Sequence, residues 1–321
     1  MKNFDKVIHL FLQSLGNLEN KTLLVGYSAG ADSTLLLHLL AQKKDFFKYK
    51  LEALFFSHEN SPINEGENNN LLLAQKTCQK LGIILYHQPI EMEKTTNKSW
   101  EQLGREARIE FYQNHYHDFI FLGHHLDDQN ETTMIQLFRG AGKGMRAMKF
   151  IDGKICRPFL TISKKEIYQY LQQNKIEWIE DPTNKNTDFT RNFWRNIGLP
   201  TIAQHYPSYS LLLSKFRKKI QNLENLSFDL AQLDGLDSLL QGKTIQVSHL
   251  SETRIMNLFH HVYPQLKYSL EEKVVEEFFK QQQFYKKEKT FFIGNYQLVF
   301  SKGSLSLLPK LEDKQHLKIR I

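Results

Sequence analysis

The run LLVGYSAGADSTLLLHLL, Leu23 to Leu40, constrains this chain more than any other stretch. Leu23 to Tyr27 are apolar and β-leaning, a short Ser/Gly/Asp loop follows, and the loop opens into a Leu-rich segment free of Pro and internal Gly. That pattern reads strand, loop, helix. The first turn of such a helix presents unpaired backbone N–H groups and the positive end of the helix dipole, and Ser28, Ser33 and Thr34 can add hydroxyl donors. The loop is therefore an anion site suited to phosphate.

Two familiar phosphate loops are excluded by the residues present. A Walker A loop needs a Lys after its last Gly, where this chain has Ala31, Asp32 and Ser33; a dinucleotide fingerprint needs three glycines, and only Gly26 and Gly30 occur. An ordinary Ser/Gly turn between strand and helix is the plain alternative. SAGADS, Ser28 to Ser33, resembles the SGGxDS signature of the PP-loop ATP pyrophosphatase superfamily. That resemblance implies ATP as cofactor, with Ser28, Ala29, Gly30, Ala31, Asp32 and Ser33 around its pyrophosphate part, cleavage between the α- and β-phosphates, and transfer of AMP to a substrate oxygen. Ala29 stands where the pattern has its first Gly. A positive φ there would strain the loop, whereas a negative φ would make the methyl harmless.

At 321 residues with 41% hydrophobic content, the chain can hold two domains, each with its own core. No apolar run approaches the roughly 18 residues of a membrane span, and the amphipathic N-terminal stretch carries Asp5 without a cleavage pattern, so no membrane and a cytoplasmic location are expected. Cys78 and Cys156 lie far apart without CxxC spacing and read as packing residues. Charge is uneven: 16 Lys/Arg face 6 Asp/Glu between Arg139 and Lys219, leaving 26 against 29 elsewhere. A solvated basic face would account for this, but a polyanion partner is favoured.

Beyond the first helix, Leu51 to Ser57, Ile83 to Ile90 and Asp118 to Gly123 read as strands, with helices from about Asn70 to Leu81 and from Ser99 to His117. The alternation predicts an α/β fold with a doubly wound parallel sheet, Rossmann-like, whose ligands lie beyond the carboxyl ends of its strands. Ser28, Ser57, His58 and Gly123 to Asp128 all fall at such ends. In the Ser99 helix, Ser99 and Gln102 form a capping pair, and Arg105 and Arg108 share a face. A surface helix is the simpler reading there.

Phe121 to Met145 is the second informative stretch. His124 and His125 follow a strand, and Asp127, Asp128 and Glu131 open a helix, Asp127 and Glu131 four apart on one side. Acids in a first turn also complement the helix dipole. A dinuclear phosphoesterase is a rival, but acids that follow the His pair along a helix read better as a Mg²⁺, amine and substrate site. Arg139, Lys143 and Arg146 stand among glycines suited to close approach of phosphates. Ser163 and Glu166 form a capping box for a helix to about Asn174, Asp181 to Asn184 is a turn, and Arg191 and Arg195 lie four apart with Phe193 and Trp194 between them, as an RNA-stacking surface would. A core Trp with solvated arginines is the alternative.

From about Pro200 the texture changes, dividing the chain into a catalytic domain, 1–200, and a helical module, 201–321. Ile202 to Leu233 reads as one long helix, LSETRIMNLFHHVY and LEEKVVEEFFKQQQ as two more, and TFFIGNYQLVF with SLSLLP as a β-hairpin.

Taken together, SAGADS, the Ser99 to Arg108 helix, GHHLDDQNET, RGAGKGM, RPFLTIS and WIEDPTNKNTDFTRNFWRN resemble the tRNA(Ile)-lysidine synthetase family over about the first 200 residues. The resemblance implies a ligase that adenylates the C2 carbonyl oxygen of the wobble cytidine in the CAU anticodon of tRNA(Ile), after which free L-lysine displaces AMP to give lysidine. Only about one lysine amine in a few thousand is unprotonated at pH 7, so a base is needed. Implied roles follow: Asp32 and Asp128 for Mg²⁺ and ATP, Asp127 and Glu131 for lysine, Arg105 and His125 for charge on the adenylate, and Arg139, Lys143, Arg146, Arg191 and Arg195 for tRNA. Spacing does not say which carboxylate is the base. A homodimer is compatible with the sequence without being specified by it. A PP-loop tRNA thiolase would need more cysteines, an amide synthetase acting on a small metabolite would not need the basic region, and a non-catalytic nucleotide-binding module would leave the acid cluster without a purpose.

Overall fold

The computed structural model describes residues 3–59, 67–91, 104, 107–108, 110–112, 114–139, 147–180, 190–266 and 289–310. Ser99, Gln102, Arg105, Lys143, Arg146, the Asp181 to Asn184 turn and the LEEKVVEEFFKQQQ segment lie outside these residues. Two compact units, Met1–Arg217 and Lys218–Ile321, meet within one helix, Tyr209–Leu233.

The first unit is built on a six-stranded sheet. Its strands are β1 (Thr22–Gly26), β2 (Lys50–Glu59), β3 (Ile84–Glu91), β4 (Phe119–Phe121), β5 (Ile151–Asp152) and β6 (Ile155–Cys156). They lie in the order β3-β2-β1-β4-β6-β5, all neighbours parallel except β5 and β6. Period-two alternation sorts the side chains: Leu23 and Val25 enter the large core with Ala53 and Phe55, while Leu24 and Leu54 face the opposite side with Tyr112 and Ile120. Both faces are covered, which explains why β1 reads as a continuous apolar run. Helix α1 (Phe4–Ser14) packs through Phe4, Ile8 and Leu12, one side chain per turn, and Asn3 caps it by accepting from the Lys6 N–H at 3.0 Å. Helices α2 (Ala31–Phe47) and α3 (Glu67–Leu81) follow β1 and β2. After β4 come α4 (Leu126–Phe138) and, after β6, α5 (Lys164–Gln173), the latter with the expected Ser163–Glu166 capping box.

The strand order turns back between β1 and β4, so the crevice at their carboxyl ends is the topological switch point. Gly123, just past β4, makes this a close junction. A Cβ there would stand 2.9 Å from the Asp32 carbonyl carbon and 3.0 Å from the Ser33 nitrogen, so only Gly lets the strand end lie against the first turn of α2.

Past the sheet, α6 (Thr190–Phe193) runs into one π-helical turn, Trp194–Gly198, then α7 (Leu199–His205) and α8 (Tyr209–Leu233). The single long helix expected from Ile202 is thus two, because Pro207 has no N–H to donate and forces Tyr206 out of the helical region, φ −130° and ψ 75°.

The second unit holds α9 (Leu236–Leu240), β7 (Ile245–Gln246), α10 (Glu252–Gln265), β8 (Lys289–Ile293), β9 (Tyr296–Ser301) and β10 (Ser304–Pro309). The expected hairpin is a four-stranded antiparallel sheet, order β7-β10-β9-β8. TFFIGNYQLVF is two strands, since Ile293 pairs with Tyr296 across Gly294, whose φ is +54°. Leu298, Leu305 and Leu307 pack with Leu258, Phe259 and Val262 of α10. No helix of the described residues is long and apolar enough to cross a membrane.

Candidate active site

The phosphate loop connects β1 to α2. Ala29, fully buried, has φ +60°, so the left-handed position falls on an alanine, while Gly30 has an ordinary φ of −73°. The loop is strained rather than neutral at Ala29. It is held by the Ser28 N–H donating to Ser33 Oγ at 3.2 Å, Ser33 Oγ donating to the Gly30 carbonyl at 3.1 Å, and the Ile179 N–H donating to the Ala29 carbonyl at 3.0 Å. Among the described residues no side chain caps the start of α2, at the crevice end of the helix.

His125 is the N-cap of α4 and is almost fully buried. Its Nε2 lies 3.5 Å from Asp32 Oδ2 and 3.5 Å from Asp128 Oδ2, and its Nδ1 lies 3.5 Å from Asp127 Oδ2. Burial pulls this imidazole down, but the carboxylates of Asp128, Asp127 and Asp32 outweigh it and push it up to about 10. His125 is a cation at neutral pH. Beside it, burial holds His124 down at about 4, with Arg191 and Arg157 adding to the effect against Asp128, so His124 is neutral.

Asp128 and Glu131 share the same two arginines. Asp128 Oδ2 accepts from the His125 backbone N–H at 2.9 Å, and Asp128 Oδ1 accepts from Arg191 Nη2 at 2.8 Å and Arg195 Nη2 at 3.2 Å. Glu131 takes Arg191 Nε at 2.8 Å and Arg195 Nε at 2.7 Å. Although burial opposes ionisation of Asp128, His125 and Arg191 overcome it and hold the carboxyl well below the usual range. Asp127, more exposed, accepts from the Lys164 N–H at 2.8 Å; burial would raise it, but His125 and that N–H lower it. Asp32 has one oxygen facing His125 and Lys164, the latter at 3.7 Å, and the other, Oδ1, buried and accepting no hydrogen bond.

Four carboxylates, Asp32, Asp127, Asp128 and Glu131, thus interleave with four cations, His125, Lys164, Arg191 and Arg195. Ser28 to Ser33, His125, the three α4 acids and both arginines meet on one rim of the sheet. Arg139 is exposed at the opposite end of α4. Trp194 is half-buried, against Gly198 and with its ring 5.1 Å from that of Phe138, which is itself exposed. Lys164 was not singled out from the sequence. The only sign of Lys164 was its place directly after the Ser163 cap.

A parallel sheet with an uncapped helix start and an acid cluster at its switch point defines a nucleotide-binding α/β domain. Residues 3–202 match the model of the PP-loop domain, and the chain belongs to that family. It is similar to the tRNA(Ile)-lysidine synthase of Legionella pneumophila (strain Lens), 36% identical over 222 residues, which are 64% of this chain and 49% of that protein. It is also similar to the one from Nitrosomonas europaea, 31% identical over 253 residues, 76% of this chain and 55% of that protein. The chain spans about half the length of these curated relatives. Among solved structures, the U34-tRNA thiolase NcsA from Methanococcus maripaludis with its [4Fe-4S] cluster superposes with a TM-score of 0.53 at 17% identity, covering 67% of this chain and 77% of that one, a likeness of fold.

Proposed function

We propose that this chain acts as a tRNA(Ile)-lysidine synthase. The lone pair on O2 of the wobble cytidine bonds to the α-phosphorus of ATP, and the bond from that phosphorus to its bridging oxygen breaks, so pyrophosphate leaves with the electron pair. The lysine ε-nitrogen then bonds to C2, the C2–O2 bond breaks, AMP departs with the oxygen, and the nitrogen gives up a proton. The observation that carries this reading is His125: one imidazole, 3.5 Å from both Asp32 and Asp128, joins the phosphate loop to the acid cluster. A nucleotide on the loop and an amine at the acids would therefore be neighbours.

The roles of the described site residues rest on their contacts, and those of Arg139, Lys143 and Arg146 on the family resemblance. The α2 start and the Ser28 and Ser33 hydroxyls bind the polyphosphate. His125, a buried cation, stabilises charge on the adenylated intermediate. Asp127, the most accessible acid of α4, receives the lysine ammonium and its proton. Arg191 and Arg195 hold Asp128 and Glu131 in place, and tRNA phosphates fall to Arg139, Lys143 and Arg146. Mg²⁺ suits Asp32, whose Oδ1 is a hard donor with no hydrogen bond to lose, whereas both oxygens of Asp128 are engaged. When bound, the ion supplies neutralisation of the polyphosphate charge.

A sulfur-transferring PP-loop enzyme is the second reading. Cys78 and Cys156 weigh against it, since both are buried and burial pushes both thiols up to about 12. The test is incubation with ATP, labelled lysine and a CAU-anticodon transcript. Base-stable label in the RNA with release of AMP supports the proposal; release of AMP without label contradicts it.

A further inference from the structure

Lys164 is the first residue of α5, and its place is fixed from three directions. Its backbone N–H donates to Asp127, and the Ser163–Glu166 box caps the helix it opens. One turn along, Tyr168 stacks on Trp178 with ring centroids 5.8 Å apart, and the next residue, Ile179, donates to the Ala29 carbonyl of the phosphate loop. The start of α5 is in this way tied to the loop through Tyr168, Trp178 and Ile179. From there the Lys164 ammonium reaches back to 3.7 Å from Asp32 Oδ2 and 5.5 Å from the Tyr168 ring centroid, with its side chain 27% exposed. A separation of 3.7 Å is an ion pair beyond hydrogen-bond reach, so Asp32 does not tie up the ammonium's donors.

We propose that Lys164 binds the β- and γ-phosphates of ATP and neutralises them as they leave as pyrophosphate. The inference rests on the reading of the loop given above. Breaking the bond between the α-phosphorus and the bridging oxygen places the electron pair on pyrophosphate, and a cation beside Asp32 lies where that charge develops. A lysine ammonium, with an ordinary value of about 10.4, carries its charge at neutral pH.

Calorimetric titration of the full chain with inorganic pyrophosphate and, separately, with AMP tests this. Lys164→Met is expected to weaken pyrophosphate binding at least about tenfold and to change AMP binding less than about twofold, while Lys164→Arg keeps most of the pyrophosphate affinity. An unchanged pyrophosphate affinity in Lys164→Met, an equal loss for both ligands, or undetectable pyrophosphate binding by the wild-type chain overturns the proposal. Lysine transfer assayed on the same preparations separates the two readings. Transfer with pyrophosphate affinity indifferent to residue 164 removes this inference alone; Lys164-dependent pyrophosphate binding without transfer removes the synthase reading alone.

Discussion

Arg195 grips Glu131 through two parallel contacts, Nε to Oε1 at 2.7 Å and Nη2 to Oε2 at 3.0 Å, around a carboxylate that is only 1% exposed. Such a bidentate pair is directional and short, unlike a surface ion pair. Removing one partner leaves the other charge buried. Arg191 still pairs Glu131 and Asp128 still pairs Arg195, so Glu131→Ala and Arg195→Ala are each expected to lower stability by about 1.5–3 kcal/mol, and the double variant should lose less than the two together. Urea denaturation measures this. An Arg195→Ala variant as stable as the wild type would return Arg195 to the role of a tRNA-phosphate contact.

Ala29 supplies a second stability test. A left-handed alanine costs roughly 1–2 kcal/mol, but replacing it with Gly forfeits a buried methyl of about 0.8 kcal/mol and adds freedom to the unfolded chain. Ala29→Gly should therefore be within about 1 kcal/mol of wild type in the same titration. Ala29→Val should be destabilised by more than about 2 kcal/mol, because a β-branched side chain resists φ +60° and the position is fully buried.

Gly123→Ala is expected to act on nucleotide binding. The added methyl would press on the backbone of Asp32 and Ser33, and the first turn of α2 would have to shift. ATP affinity, measured by fluorescence titration, should fall at least about tenfold, since displacement of preorganised donors by even ~1 Å is costly. Wild-type affinity in this variant would mean that the turn is not the phosphate site.

Both thiols should be inert. With values of about 12, only on the order of one thiol in ten thousand is ionised at pH 8, and reactivity follows the thiolate. Iodoacetamide at pH 8 should label neither Cys78 nor Cys156 until the chain is unfolded, as peptide mass analysis would reveal. Rapid labelling of either in the folded protein would revive the sulfur-transfer reading.

Local pattern made much of this legible from the sequence. The β1–loop–α2 unit follows from an apolar run meeting Ser and Gly, and the apolar spacing of Phe4, Ile8 and Leu12 gave α1 its buried face. Pairing across long separations was not legible. Arg191 and Arg195 are four apart and Asp128 and Glu131 three apart, spacings that suit each other, yet only the packing of α6 and its π turn on α4 brings them together. The same holds for Lys164, whose partner Asp32 lies at the far end of the sheet connections. Where the reading of elements differed, a single backbone residue decided: Pro207 divided one helix, and Gly294 turned one strand into two.

The central claim is that the phosphate loop and the α4 acids form one site performing two successive steps, and the two half-reactions test it most directly. With ATP labelled at the α-phosphate, a CAU-anticodon transcript and lysine, Asp127→Asn is expected to build up adenylated RNA and pass little of it to lysine, whereas Asp32→Asn should form neither species. Near wild-type lysine transfer by both variants, or adenylation that survives in Asp32→Asn, would contradict the account.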